Sequence, residues 1–189
     1  MNLSFLPNLL CLFRIALVYP IAVWIMQGRY AEVLFLFGIA AATDGLDGYL
    51  AKRFNWMSDL GKFLDPVADK LLMVTLFMCL SIAGHIPWWL TFSVLFRDLF
   101  IAYGAVVFRW MFGPLHGHPI VPSKFNTLFQ ILLCLAVIAR LGFGFPPAWA
   151  VTLLGALVFV STWVSGLGYI LAYSRRAVAV TRQRELEAR

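Results

Sequence analysis

Apolar residues run along this chain in stretches of about 20, the length that crosses a bilayer as a helix, and short segments bearing Gly, Pro or charge separate them. Six such stretches are read, from Leu9 to Met26, Ala31 to Leu50, Val67 to Ala83, Trp88 to Phe108, Phe125 to Leu141 and Trp149 to Tyr173. The predicted architecture is an all-α integral membrane protein of six transmembrane helices forming one domain, residues 1–189. Residues 1–8 are apolar with a Pro break and read as a short interfacial segment, while residues 174–189 turn polar and read as a cytoplasmic tail with a frayed helix end. No cleavable leader is expected, because a basic stretch and a small-residue cleavage site are both missing around the first apolar run.

Composition agrees with that pattern. Of the 189 residues, 62% are hydrophobic and only 13% are charged, against about 25% charged in a soluble domain. The net charge of +6 does not argue for nucleic acid, because the basic residues sit between apolar runs rather than along one face. An even number of spans puts both termini on one side, and ten basic residues (Lys52, Arg53, Lys62, Arg109, Lys124, Arg175, Arg176, Arg182, Arg184 and Arg189) fall on that side against Arg29 and Arg140 on the other. The positive-inside rule then makes the termini, the second-to-third loop and the fourth-to-fifth loop cytoplasmic. The chain is read as a multi-pass protein of a bacterial inner membrane. Cys11, Cys79 and Cys134 are far apart inside apolar runs and suggest packing, not a metal motif or a disulfide framework.

One stretch breaks the apolar pattern for a chemical reason. Residues 44–69 hold five of the chain's nine acidic residues. On a helix Asp44 and Asp47 share a face, as do Asp65 and Asp69, so each pair can aim its carboxylates at a common point. Two pairs on neighbouring helices make a cation site of hard oxygen donors, which suits Mg²⁺ or Mn²⁺, and a two-metal site is an established way to handle phosphate chemistry. Asp59 also reads as a helix cap. Ordinary capping does not call for two phased pairs. A divalent-cation transporter is the rival from another class, because carboxylates within a membrane often mark ion paths; against it, the acids are concentrated in the cytoplasmic half. A non-catalytic scaffold has no use for phased carboxylates.

Asp44, Asp47, Gly48, Ala51, Gly61, Asp65 and Asp69 fit the pattern Asp-x-x-Asp-Gly-x-x-Ala-Arg, eight residues, Gly-x-x-x-Asp-x-x-x-Asp. In this the chain strongly resembles the CDP-alcohol phosphotransferase (CDP-alcohol phosphatidyltransferase) family. It departs at Lys52, where the family usually has Arg; the charge is kept and the bidentate fork is lost. The resemblance implies that Asp44, Asp47, Asp65 and Asp69 hold two metal ions, that Asp47, Gly48, Ala51, Lys52 and Gly61 shape the CDP pocket, and that Asp69 is the base that deprotonates the acceptor hydroxyl. It also implies phosphatidyl transfer from CDP-diacylglycerol with release of CMP, and a homodimer through the third and fourth spans.

Further polar positions carry the acceptor reading. The segment from Pro7 to Arg14 is similar to the family's Pro-Asn-x-x-Thr-x-x-Arg element, with Cys11 in place of Thr. Arg14 is costly in a span unless it meets an anion or snorkels to the interface. Arg97 and Asp98 lie in mid-span, where they either pair structurally or leave Arg97 to face an acceptor phosphate. Lys124 opens the fifth span within Ser-Lys-Phe-Asn-Thr-Leu-Phe-Gln. That motif, with Arg97-Asp98, resembles the eukaryotic-type cardiolipin synthases of the family and favours phosphatidylglycerol as acceptor, with glycerol 3-phosphate as runner-up. As polar spots on a helix, Lys124, Thr127 and Gln130 have a plainer reading too. His116 and His118 are read as loop residues.

Overall fold

A computed structural model of the chain describes the backbone of residues 6–54, 59–112 and 121–187; side chains are left out at 6–8, 42, 44–65, 112–122 and 175–187. Six helices run through it: α1 (Leu6–Met26), α2 (Tyr30–Phe54), α3 (Asp59–Ile82), α4 (Trp88–Phe112), α5 (Val121–Phe143) and α6 (Ala148–Glu187). Four are long and apolar enough to cross a membrane, over Leu9–Met26, Trp88–Met111, Ser123–Phe143 and Ala148–Ser174. Among the described residues α2 contributes a shorter apolar stretch, Tyr30–Ala41. The helices α2 and α3, which carry the aspartate motif, have side chains described only in part.

The chain divides into two compact units, the first from residues 1–87 and 134–148 and the second from residues 88–133 and 149–189. In the first unit α1 packs against both α2 and α3. Its contact face holds Cys11, Ile21, Ile25, Val33, Leu76, Phe77 and Leu80, all at most 1% exposed. Two of its helices end in the same way. Gly28 (φ 74°) and Gly84 (φ 79°) take a left-handed conformation that residues with a Cβ rarely adopt. The amide of Gly84 donates to the Ser81 carbonyl at 3.0 Å and that of His85 to Leu80 at 2.8 Å. The Gly28 and Arg29 amides repeat the arrangement on Ile25 and Trp24, so both helices close with the paired hydrogen bonds of a Schellman cap. Beside these caps the Tyr30 hydroxyl and His85 Nε2 lie 2.8 Å apart, tying the start of α2 to the end of α3.

The second unit is α4, the first half of α5 and α6. Gly104 permits close approach of α4 to α6, since a Cβ there would stand 3.1 Å from the Tyr173 ring. Phe108 stacks on the same ring with centroids 5.8 Å apart. The helix α6 continues past the apolar stretch to Glu187, so the expected frayed tail is helical for most of its length. Its residues 175–187 lack Gly and Pro, the two residues that interrupt helices most strongly. At the other end α1 already includes Leu6 to Asn8, part of the expected interfacial segment. Pro7 falls in its first turn, where a missing N–H costs nothing.

Candidate active site

The backbone places the acidic motif on two helices joined by a short connection. Asp44 and Asp47 lie on α2, Asp65 and Asp69 on α3, and α3 opens at Asp59, the residue expected to cap it. The side chains of Asp44, Asp47, Gly48, Ala51, Lys52, Gly61 and Asp65 lie outside the described residues. Pro66 sits between the two α3 aspartates, so that helix forgoes one backbone hydrogen bond within the motif.

Asp69 is described, and it has an unexpected neighbour. Arg14 Nη1 donates to its Oδ1 at 2.7 Å, across 55 positions of sequence, joining α1 to α3. The Arg14 side chain is 1% exposed, whereas that of Asp69 is 55% exposed. The anion that a buried arginine needs is thus Asp69, and snorkelling is not how Arg14 is accommodated. A guanidinium held by packing fixes the carboxylate from the protein side, and more than half of the Asp69 side chain remains exposed. The donor set fits Mg²⁺ or Mn²⁺: hard carboxylate oxygens on two helices, with the one whose side chain is described half open. Among the described residues no three His, Cys, Asp or Glu gather; the motif's other three aspartates are outside that set.

The second unit holds the other sequence-predicted positions. Arg97 is 7% exposed. Its Nη1 donates to Asp98 Oδ1 at 2.6 Å, and its Nη2 donates to Ser123 Oγ at 2.7 Å and also to Ser165 Oγ. One guanidinium therefore joins α4, α5 and α6. The structural pairing weighed for Arg97 is present, although its partner is the next residue in its own helix. Lys124, the other acceptor candidate, is exposed near the start of α5.

Sequence reasoning missed the α6 side of this network. Ser161 and Thr162 hydroxyls donate to Asn126 Oδ1 at 2.8 and 3.0 Å. Asn126, Gln130, Thr162 and Ser165 are each at most 2% exposed. The available signal was Ser161-Thr162-x-x-Ser165 inside an otherwise apolar span, since small hydroxyl residues in a membrane helix often bond to a neighbour.

Comparison with known proteins settles the family. The sequence model of the CDP-alcohol phosphatidyltransferase family matches residues 4–174. The chain belongs to that family. Among its relatives, rat cardiolipin synthase (CMP-forming) is 30% identical over 94% of this chain and 64% of its own length, and the human protein of that name matches to the same extent. A Blochmanniella floridana protein named CDP-diacylglycerol--glycerol-3-phosphate 3-phosphatidyltransferase is 33% identical over 72% of this chain and 74% of its own. A probable cardiolipin synthase (CMP-forming) of Drosophila melanogaster is 39% identical over 68% of this chain and 38% of its own. The chain thus spans less than two-thirds of the rat and human relatives. The family match runs through both compact units, from α1 to the end of the apolar part of α6.

Proposed function

We propose that this protein moves the phosphatidyl group of CDP-diacylglycerol onto a hydroxyl of phosphatidylglycerol, releasing CMP and forming cardiolipin. The observation that carries the chemistry is Asp69, a motif carboxylate paired with buried Arg14 while its side chain remains 55% exposed. The family match favours transfer over cation transport. Asp69 takes the proton of the acceptor hydroxyl as its oxygen forms a bond to the β-phosphorus of the donor, the one bearing diacylglycerol; the bond from that phosphorus to the bridging oxygen breaks, and CMP leaves with the electron pair. Asp44, Asp47, Asp65 and Asp69 would hold two Mg²⁺ or Mn²⁺ ions, which supply charge neutralisation at the pyrophosphate. Asp47, Gly48, Ala51, Lys52 and Gly61 form the nucleotide pocket on this reading, and Arg97, Lys124 and Arg14 serve the acceptor, Arg14 through its hold on Asp69.

The choice of acceptor is supported by the Ser123 to Gln130 motif and by the names of the rat and human relatives. The Blochmanniella relative supports the second reading, glycerol 3-phosphate as acceptor and phosphatidylglycerophosphate as product. The protein would span a bacterial inner membrane six times, with termini and active site cytoplasmic, as a homodimer through α3 and α4. The test is purified protein in nanodiscs with radiolabelled CDP-diacylglycerol and each acceptor in turn. Cardiolipin together with CMP is the expected outcome; phosphatidylglycerophosphate alone overturns the acceptor and keeps the reaction class.

A further inference from the structure

A guanidinium has five N–H donors and no acceptor, so each bond it makes uses up one of a fixed number. Both hydrogens of Arg97 Nη2 are spent, on Ser123 Oγ at 2.7 Å and on Ser165 Oγ. Nη1 gives one to Asp98 Oδ1 at 2.6 Å. The Tyr169 ring centroid lies 6.0 Å from Arg97 Cζ, and Gly166 lies against the stem, where a Cβ would stand 3.9 Å from Cγ. All of these residues belong to the second compact unit. With the Arg97 side chain 7% exposed and that of Asp98 14% exposed, the ion pair is closed off. An incoming phosphate would have to displace a carboxylate already at contact distance, or stand beside it as a second anion where little water screens the two. Arg97 is built into the protein.

Lys124 is the opposite case. It is exposed, and among the described residues no carboxylate pairs with it. It stands in the first turn of α5, which opens at Val121. The amides of a helix's first turn have no carbonyl one turn back to bond, and Pro122 brings no N–H at all. That turn is therefore the part of α5 that backbone bonding holds least. Ser123, the residue before Lys124, supplies what the backbone does not, because its Oγ is held by Arg97 from α4. The next turn has its own tie, the Thr162 hydroxyl of α6 donating to Asn126 Oδ1 at 3.0 Å. Among the described side chains of the first turn, Ser123 makes the bond to a neighbouring helix.

We propose that Arg97 is a positioning residue: it fixes the first turn of α5 through Ser123 and so sets where Lys124 stands, and Lys124, not Arg97, meets the phosphate of the acceptor. The proposal rests on the reading that Lys124 serves the acceptor. The two cations then have different work. The charge of Arg97 is neutralised by Asp98 and its donors hold three helices together, whereas the charge of Lys124 is left for a ligand. Ser123 belongs to the same device, as the link between them.

The experiment measures the KM for phosphatidylglycerol of the full chain in nanodiscs, with the KM for CDP-diacylglycerol beside it, for Ser123→Ala, Lys124→Gln, Arg97→Gln and their pairs. Ser123→Ala should raise the first by about threefold to tenfold and leave the second unchanged. Because Ser123 acts through Lys124, adding Ser123→Ala to Lys124→Gln should raise it no further, and adding it to Arg97→Gln should also raise it no further. Effects that multiply in either pair overturn the proposal, as does a silent Lys124→Gln. So does a silent Ser123→Ala beside a damaging Arg97→Gln, which would give Arg97 its own contact with the acceptor. Arg97→Gln strips buried Asp98 of its cation; should that variant fail to fold, the Ser123 and Lys124 pair decides alone, since both substitutions spare the ion pair. A second readout needs no turnover. A nitroxide attached at Lys124→Cys, with the native cysteines changed to Ser, should gain mobility when Ser123→Ala is added, and an unchanged spectrum overturns the proposal whatever the acceptor. Phosphatidylglycerophosphate as sole product overturns the proposed acceptor but not the positioning role, which the spectra and the KM for glycerol 3-phosphate then decide.

Discussion

At the scale of a residue, the proposed chemistry concentrates on Asp69. Replacing it by Asn keeps the volume and a ligand oxygen but removes the proton acceptor, and kcat should fall by about 10²–10⁴-fold with CDP-diacylglycerol binding retained. Stopped CMP release together with an unchanged elution profile checks this. Asp44→Ala should instead abolish Mn²⁺ binding, read by the electron paramagnetic resonance of the free ion, and chelation of the parent protein should stop turnover reversibly. Both residues were legible in the sequence because helical spacing of carboxylates is a local property. The Arg14 to Asp69 ion pair was not: its partners are 55 positions apart, and no periodicity reports which helix lies beside α1. The sequence does not single out Asn126 within the Ser123 to Gln130 motif, since burial of a polar side chain is a matter of tertiary neighbours.

Among the elements, hydropathy located every helix and misplaced the ends of those that carry charge. The third was read from Val67, yet α3 begins at Asp59. A window that scores apolar residues starts where the charges stop, whereas a helix starts where its backbone is capped. The second ran on in the same way, to Phe54 instead of Leu50. Contact between helices adds what no window sees. At Gly104 the α4 backbone comes so close to Tyr173 that a side chain has to displace the ring. Gly104→Leu should cost about 1–3 kcal/mol, as overpacking does elsewhere. Thermal unfolding in detergent measures it, and the loss should shrink when Tyr173→Ala is added.

For the whole molecule the charge pattern makes a statement about sidedness that cysteine labelling can check. With the three native cysteines changed to Ser, a cysteine at Arg182 should react with a membrane-impermeant maleimide only in inverted vesicles. One at Phe145, which is 72% exposed in the turn before α6, should react only from the opposite face. The reverse result would turn the proposed topology over. At this scale the chain divides into two compact units and α5 contributes a half to each, a division that no linker composition announces because a single unbroken helix carries it.

The buried Arg14 has a further consequence, for the order in which the chain enters the membrane. α1 is made and inserted before α3 exists, so its arginine must wait for Asp69. An arginine at the centre of a span costs about 2.5–3.5 kcal/mol on insertion scales; Arg14, near the start of its span, costs less than that and lowers the cost during the wait by stretching toward the lipid headgroups. When α3 arrives, the carboxylate replaces the headgroups and Arg14 is drawn into the packed interior. The proposed catalytic base would thereby also be the lock on the first three helices. Nascent chains that end before Asp69 should be extracted from the membrane by alkali or urea more readily than chains that include α3, and Asp69→Ala should remove much of that difference.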